Sequence, residues 1–363
     1  MVLVKSLAGV RVLPKPVFAE QSDNYILSPE QIKFYEDNGF LVIKELIDFT
    51  SLYSYKQRFI QMCKGIVPVG NVRVIKEPTL VAQNLKPEEY INKIQELLYD
   101  DVFIQYGEHP RLLSVLSQFI GDDITAVNSM FINKPPGASR HPPHQDTLIG
   151  DDITAVNSMF INKPPGASRH PPHQDTLIGD DITAVNSMFI NKPPGASRHP
   201  PHQDLFYFPF RPAEKIIGAW TAVDHVTVEN GCLYAVPGSH KAAVLYQHQG
   251  KKDALKLYHG VDEEAIAPLD QRVHLEMSPG DTVFLHPYLL HGSGPNVSKN
   301  YRKAITFHFA NSSCEYIDLR GTVQEHLAKE VEAHTVKMGF GELSYIDVWR
   351  LKSKQVKGVR SNL

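Results

Sequence analysis

A short stretch near the middle of the chain has the residue types and spacing of a metal site. In the sequence His199-Pro200-Pro201-His202-Gln203-Asp204, an extended backbone would point the side chains of His202 and Asp204 to the same face. Far downstream, an apolar strand-like segment leads to His291, which would complete a set of two histidines and one carboxylate. This set leaves metal positions open and is typical of non-haem Fe(II) oxygenases.

An arginine follows this histidine at an interval that strengthens the interpretation. Arg302 lies eleven positions after His291 and opens a strand-like segment over residues 302–309. Its planar guanidinium could bind the far carboxylate of a 2-oxo acid through two hydrogen bonds. An H-x-D box or a strand histidine alone is usually structural. The combination of the box, a glycine-flanked histidine and this arginine favours a metal site.

The H-x-D box belongs to a tandem repeat of identical units that begin at Gly121, Gly150 and Gly179, every 29 residues. The units, 121–149, 150–178 and 179–204, supply three boxes for one downstream histidine: His144/Asp146, His173/Asp175 and His202/Asp204. We favour the third box, because it alone continues into the aromatic segment 205–210. Two units are then expected to be looped out. The looped-out stretch is either residues 121–178 or the corresponding stretch behind Asp146. The repeat itself is interpreted as either a recent duplication or an artefact of sequence assembly.

Composition limits the classes of partner. A net charge of −3 and a pI near 6.6 give no basic surface for nucleic acid. No apolar run approaches the roughly 20 residues of a membrane span, so no membrane span is expected. The three scattered cysteines argue against a disulfide framework. The ending Ser361-Asn362-Leu363 is similar to a peroxisomal address, with the cytoplasm or the mitochondrion as alternatives.

Helix and strand signals separate along the chain. Residues 1–27 are predicted to be a disordered or targeting tail, and 28–363 a single domain. The N-terminal third contains helix patterns, at 29–39, 46–63, 88–98 and 110–120, whereas short strands between Gly/Pro turns follow Asp204, and a last helix is predicted at 322–338. This order predicts an α+β fold, a double-stranded β-helix of the cupin-like jelly-roll type, with the helices packed on one sheet.

The sequence also resembles the phytanoyl-CoA dioxygenase family of Fe(II)/2-oxoglutarate dioxygenases, from about residue 28 to the end. The resemblance is carried by segments that extend well beyond the metal motif, namely 34–44, 190–194, 197–204, 207–212, 219–222, 230–233, 291–294 and 302–305. It implies 2-hydroxylation of phytanoyl-CoA or another 3-methyl-branched fatty acyl-CoA in peroxisomal fatty-acid α-oxidation. It also implies Fe(II), 2-oxoglutarate and O₂, with ascorbate as reductant.

The resemblance assigns roles to individual residues. His202, Asp204 and His291 would hold iron, and Arg302 and Ser293 would hold the distal carboxylate of 2-oxoglutarate. Further positions that line the cosubstrate match Lys93, Met188, Gln203 and Trp220. The repeat makes Met130 and Met159 rivals of Met188. Without the resemblance, Met188 and Trp220 would be assigned to the core and Lys93 to a solvated surface. Two alternatives stay open: a related dioxygenase for another lipid or small molecule, and a non-catalytic jelly-roll binding protein disabled by the repeat.

Overall fold

The computed structural model describes residues 24–70, 72–76, 86–132, 199–250, 259–337, 341–358 and 362–363. The α-helices of these parts are α1 Pro29–Asn38, α2 Phe49–Cys63, α3 Pro87–Tyr90, α4 Ile104–Gly107, α5 Pro110–Ile120, α6 Glu263–Ile266, α7 Glu325–Lys337 and α8 Tyr345–Arg350. None of these helices is long and apolar enough to cross a membrane. The longer ones lie in the N-terminal third and near the C-terminal end.

Local capping signals place the first helices where the sequence predicts them. Ser28 caps α1 through a reciprocal capping box with Gln31, and Gly39 ends the helix at φ 79°. Helix α5 covers the predicted residues 110–120. Helix α2 begins later than residue 46, because the side chain of Asp48 accepts the backbone N–H of Ser51 and caps the helix there.

The predicted helix 88–98 is wrong beyond Tyr90. Helix α3 ends there, and Ile91–Gln95 continues as a strand, followed by a 3₁₀ turn at Leu97–Tyr99. The apolar residues at 91, 94, 97 and 98 have helical spacing, but Ile91 and Ile94 are β-branched and enter the core beside two other strands. Tertiary pairing therefore overrides the local helix pattern.

The strands are β1 Phe40–Ile43, β2 Arg73–Lys76, β3 Ile91–Gln95, β4 Ile124–Ile132, β5 His199–His202, β6 Phe210–Arg211, β7 Ile216–Ala222, β8 Leu233–Ala235, β9 Gln249–Gly250, β10 His259–Gly260, β11 Val273–Leu275, β12 Thr282–Leu285, β13 His291–Ser293, β14 Ala304–Asn311, β15 Glu315–Tyr316 and β16 Lys354–Lys357. A large sheet has the order β1-β12-β7-β14-β4-β3-β2, with β16 also paired to β4, and a smaller sheet has the order β11-β8-β13-β5. The described strand pairings within these two sheets are antiparallel.

Two apolar layers hold the large sheet in place. One face packs on the N-terminal helices, through a core that includes Phe59, Leu116 and Phe307. The other face meets the small sheet, where Trp220 of β7 belongs to the same buried cluster as Leu233 of β8. Two facing antiparallel sheets with helices on one outer face confirm the predicted α+β jelly-roll class. The space between the sheets is where β5 and β13 deliver their side chains.

The repeat contributes to both sheets from different copies. Strand β4 comes from the first copy and pairs with β14 in the large sheet, whereas β5 comes from the third copy and pairs with β13 in the small sheet. This is a third arrangement beside the two weighed from the sequence, and the identity of the copies permits it. Residues 133–198, which include Met159 and Met188, lie outside the described residues.

Candidate metal centre

The three residues of the favoured set meet at the end of the small sheet. His202 ends β5 and lies directly opposite His291, which begins β13. Gln203 keeps an extended backbone at φ −118° and ψ 128°, so Asp204 returns to the face of His202. Asp204 Oδ1 is 3.6 Å from Nε2 of each histidine, and all three residues are buried. One ligand atom from each lies within 4.8 Å of the others.

Backbone carbonyls fix which ring nitrogen of each histidine faces this point. His202 Nδ1 is 3.1 Å from the carbonyl oxygen of Pro200, and His291 Nδ1 is 3.0 Å from that of Leu289. Since a carbonyl can only accept, each Nδ1–H donates, and in a neutral imidazole with this tautomer Nε2 carries the lone pair. Burial lowers the pKa of His291 to about 4, so its imidazole is neutral at neutral pH, as metal binding requires.

The second oxygen of Asp204 has a partner that the sequence analysis missed. His308 on β14 donates its Nε2–H to Asp204 Oδ2 at 3.0 Å. Burial opposes ionisation of Asp204, but the nearby His291 and His308 outweigh it and hold the pKa of this carboxyl well below its usual value. A signal was present, because His308 is a polar residue in an apolar strand, six positions from Arg302 and therefore on the same face.

Arg302 is buried and only partly hydrogen-bonded. Its Nη2–H donates to the carbonyl oxygen of Gly231 at 2.9 Å, while Nε and Nη1 have no partner among the described residues. Burial lowers the pKa of this guanidinium to about 10, so it stays charged. Buried donors in proteins are nearly always paired. Two guanidinium nitrogens without a partner on a buried cation are therefore suited to hydrogen-bond a carboxylate.

The guanidinium lies at the far end of the strand that carries His291. Gly231 and Cys232 precede β8, which pairs with β13, and the backbone N–H of Gly294 donates to the Cys232 carbonyl oxygen. Ser293 lies on β13 two positions after His291 and is buried. A metal on the histidine end and a carboxylate on the Arg302 end would thus share one strand as their common support.

The remaining predicted positions are placed less uniformly. Trp220 is buried on β7, with the guanidinium carbon of Arg302 5.2 Å from its ring centroid. Gln203 is buried, but its side chain forms hydrogen bonds with the backbone of Val244, Tyr246 and Tyr288, so its cosubstrate contact stays a prediction.

Lys93 lies on β3 instead of the predicted helix, with its backbone opposite Ile132. Met130 lies on β4 opposite Thr306, and Met188 is outside the described residues.

The donor set fits ferrous iron and a 2-oxo acid. Among the described residues, His202, Asp204 and His291 form the one group of three that could hold a metal ion. Two neutral imidazoles and one carboxylate oxygen are a preferred set for non-haem Fe(II), and they leave three of six octahedral positions free. The unpaired donors of Arg302 are suited to a separate anionic group.

Comparison with known proteins gives a consistent result. The family model described as phytanoyl-CoA dioxygenase (PhyH) matches residues 35–156 and 176–304. The chain is 36% identical to the peroxisomal phytanoyl-CoA dioxygenase of Bos taurus, over 95% of this chain and 87% of the relative. It is 35% identical to a probable phytanoyl-CoA dioxygenase of Caenorhabditis elegans, over 97% of this chain and 100% of the relative.

Solved structures share the fold at much lower sequence identity. The apo form of EctD from S. alaskensis superposes with a TM-score of 0.51 at 14% identity, covering 83% of this chain and 82% of that chain. The non-haem alpha-ketoglutarate-dependent carbocyclase SnoK from nogalamycin biosynthesis gives a TM-score of 0.50 at 17% identity, with 84% and 90% covered. These likenesses concern the fold.

Proposed function

The chain belongs to the phytanoyl-CoA dioxygenase family, and we propose that it catalyses the Fe(II)- and 2-oxoglutarate-dependent 2-hydroxylation of phytanoyl-CoA or another 3-methyl-branched fatty acyl-CoA. It is an enzyme, an oxidoreductase of the 2-oxoglutarate-dependent oxygenases. The observation that carries the proposal is the buried set His202, Asp204 and His291 at the end of the small sheet, together with the buried and partly unpaired Arg302 just before β14 of the large sheet. This arrangement suits one metal and one dicarboxylate together.

Each residue would have a distinct task. His202, Asp204 and His291 would hold Fe(II), and Arg302 with Ser293 would hold the distal carboxylate of 2-oxoglutarate. Bound iron supplies the redox chemistry by which 2-oxoglutarate and O₂ become succinate, CO₂ and an oxidant for the C2–H bond. One atom of O₂ enters succinate and the other becomes the hydroxyl oxygen. Ascorbate would keep the metal reduced between turnovers.

The protein contributes orientation and exclusion of water. Arg302 is 2% exposed and His291 is 5% exposed. A cosubstrate bound near these two residues would therefore be shielded from bulk water. A charged hydrogen bond gains strength in such surroundings. Trp220 would cover the guanidinium, and Gln203 would fix the H-x-D box to the loop around Val244 and Tyr246. The cosubstrate roles of Lys93 and of one methionine of the repeat belong to the same proposal.

A peroxisomal location is part of the proposal and is supported by the names of the mammalian relatives. Asn362 and Leu363 are packed against the domain, because Leu363 is 1% exposed and the backbone N–H of Asn362 donates to the Ser312 carbonyl oxygen at 2.9 Å. An import receptor could bind residues 361–363 only after Asn362 and Leu363 have separated from the domain. Import by that route therefore requires local opening.

The test is turnover by the purified chain with Fe(II), 2-oxoglutarate and ascorbate, with and without phytanoyl-CoA. We expect succinate release stimulated by the substrate and a 2-hydroxyacyl-CoA product. Succinate without an acyl product would indicate a hydroxylase for another lipid or small molecule. Tight 2-oxoglutarate binding without succinate would indicate the non-catalytic binding protein.

A further inference from the structure

We propose that His308 is a positioning residue that restricts Asp204 to binding metal through a single oxygen, a role that rests on the proposed function. The two carboxylate oxygens of Asp204 have different neighbours. Oδ1 is 3.6 Å from Nε2 of both His202 and His291, whereas Oδ2 accepts the hydrogen bond of His308 Nε2–H at 3.0 Å. The carboxylate therefore has one oxygen in the metal site and one committed to β14.

The strand pairing gives His308 little freedom to move. It lies opposite Gly218 of β7, where a Cβ atom would approach the His308 ring to 3.2 Å and Asp204 Oδ2 to 3.4 Å. On another side, the ring of Phe208 meets the imidazole edge-on, with centroids 5.3 Å apart. Phe208 itself packs on Trp349 of α8. Gly218 on one side and the Phe208 ring on another thus hold the His308 imidazole in one orientation.

The number of carboxylate oxygens on the metal decides how many positions remain. Three protein atoms leave three octahedral positions, which a chelating 2-oxo acid and O₂ require. If Oδ2 were released, it could occupy one of these positions and compete with 2-oxoglutarate. The hydrogen bond from His308 prevents this competition, because a residue that hydrogen-bonds to a metal ligand fixes the orientation of that ligand. The predicted effect is therefore on cosubstrate binding to the metal-loaded protein.

The test compares two substitutions that differ in hydrogen-bond donation. His308→Gln keeps an N–H donor near the Nε2 position, and His308→Leu removes it. Each variant is loaded with Co(II) or, without oxygen, with Fe(II), and 2-oxoglutarate is titrated by calorimetry. We expect His308→Leu to bind 2-oxoglutarate about 10- to 100-fold more weakly and His308→Gln to retain most of the affinity. The visible spectrum of the Co(II) form before addition of 2-oxoglutarate should change in the Leu variant alone.

Controls separate this role from general damage. His240→Leu, a histidine that bonds the backbone of Glu36 outside the centre, should leave metal and 2-oxoglutarate binding unchanged. If His308→Leu does not fold, His308→Asn replaces it, because its amide is too short to reach Oδ2 and should show the same weakened binding. Wild-type 2-oxoglutarate affinity in the soluble Leu or Asn variant would overturn the inference, as would equal losses in the Gln and Leu variants. A wild-type chain that binds neither metal nor 2-oxoglutarate would instead overturn the proposed function.

Discussion

Arg302 faces the ring of Trp220, with its guanidinium carbon 5.2 Å from the ring centroid. The two residues come from neighbouring strands of the large sheet, Trp220 within β7 and Arg302 just before β14. A desolvated cation over an indole face is stabilised by roughly 2 kcal/mol. Contact with the indole therefore helps to keep the Arg302 charge inside the protein, while Nε and Nη1 of Arg302 have no partner among the described residues.

Replacement of Arg302 should affect the cosubstrate more than the metal. Arg302→Gln removes the charge, and Arg302→Lys keeps it but loses the fork of donors. Since a hydrogen bond to a charged group contributes about 1.5–3 kcal/mol, we expect KM for 2-oxoglutarate to rise roughly 10- to 150-fold. Initial rates of succinate release at varied 2-oxoglutarate measure this change. Unaltered KM in both variants, with unaltered Fe(II) affinity, would remove Arg302 from the site.

The three H-x-D boxes should differ in their importance. His202→Ala and His291→Ala remove a ligand from the set and should abolish Fe(II) binding and hydroxylation. His144→Ala and His173→Ala make the same change in the other two boxes, outside the described residues, and should leave both properties intact. Metal content after anaerobic loading and product formation measure the difference. Loss of activity in His144→Ala alone would mean that the first box is the functional one.

Removal of two repeat units should preserve the site and raise stability. Deletion of 58 residues gives the same sequence wherever it falls within the identical copies, and it shortens the connection between Ile132 and His199 from 66 residues to 8. If two units are looped out, loop-closure entropy predicts a gain in the free energy of unfolding of about 2 kcal/mol. Urea unfolding of the 305-residue and 363-residue forms measures it. A less stable short form would indicate that the extra units pack on the domain.

Asp281 should be important for stability because it joins β1 to the turn before β12. It is 1% exposed and accepts hydrogen bonds from Lys44 Nζ at 2.7 Å and from the backbone N–H groups of Glu45 and Ser278. Asp281→Ala leaves these donors unpaired and should lower the free energy of unfolding by about 3 kcal/mol. As a control, Lys33→Ala removes an exposed ion pair with Asp37 and should cause no measurable change in urea unfolding. Equal effects of the two changes would contradict this assignment.

Local signals and chemical type account for what the sequence could predict. Ser28, Gln31 and Gly39 define α1 by themselves, because capping depends on neighbouring residues. The histidine and aspartate of the third box, with His291, are brought together as their types and spacing predict. The family resemblance supplied the phytanoyl-CoA dioxygenase interpretation, which the similarity to curated relatives supports over nearly the whole chain.

Features that depend on distant contacts could not be predicted. Ile91–Gln95 is a strand because β2 and β4 lie beside it, although its apolar spacing is helical. The hydrogen bond between His308 and Asp204 depends on the register that places His308 opposite Gly218. Residues 354–357, for which no strand is predicted from the sequence, form β16 along β4. Each of these outcomes depends on which strands become neighbours.

The most direct test of the account is labelling with ¹⁸O₂ during turnover of phytanoyl-CoA by the Fe(II)-loaded chain. We expect succinate with one labelled oxygen, formed together with a 2-hydroxyacyl-CoA product whose hydroxyl carries label. Mass spectrometry of both products, with the His291→Ala variant as control, gives the answer. Unlabelled succinate, or the absence of succinate while 2-oxoglutarate and metal are bound, would contradict the account.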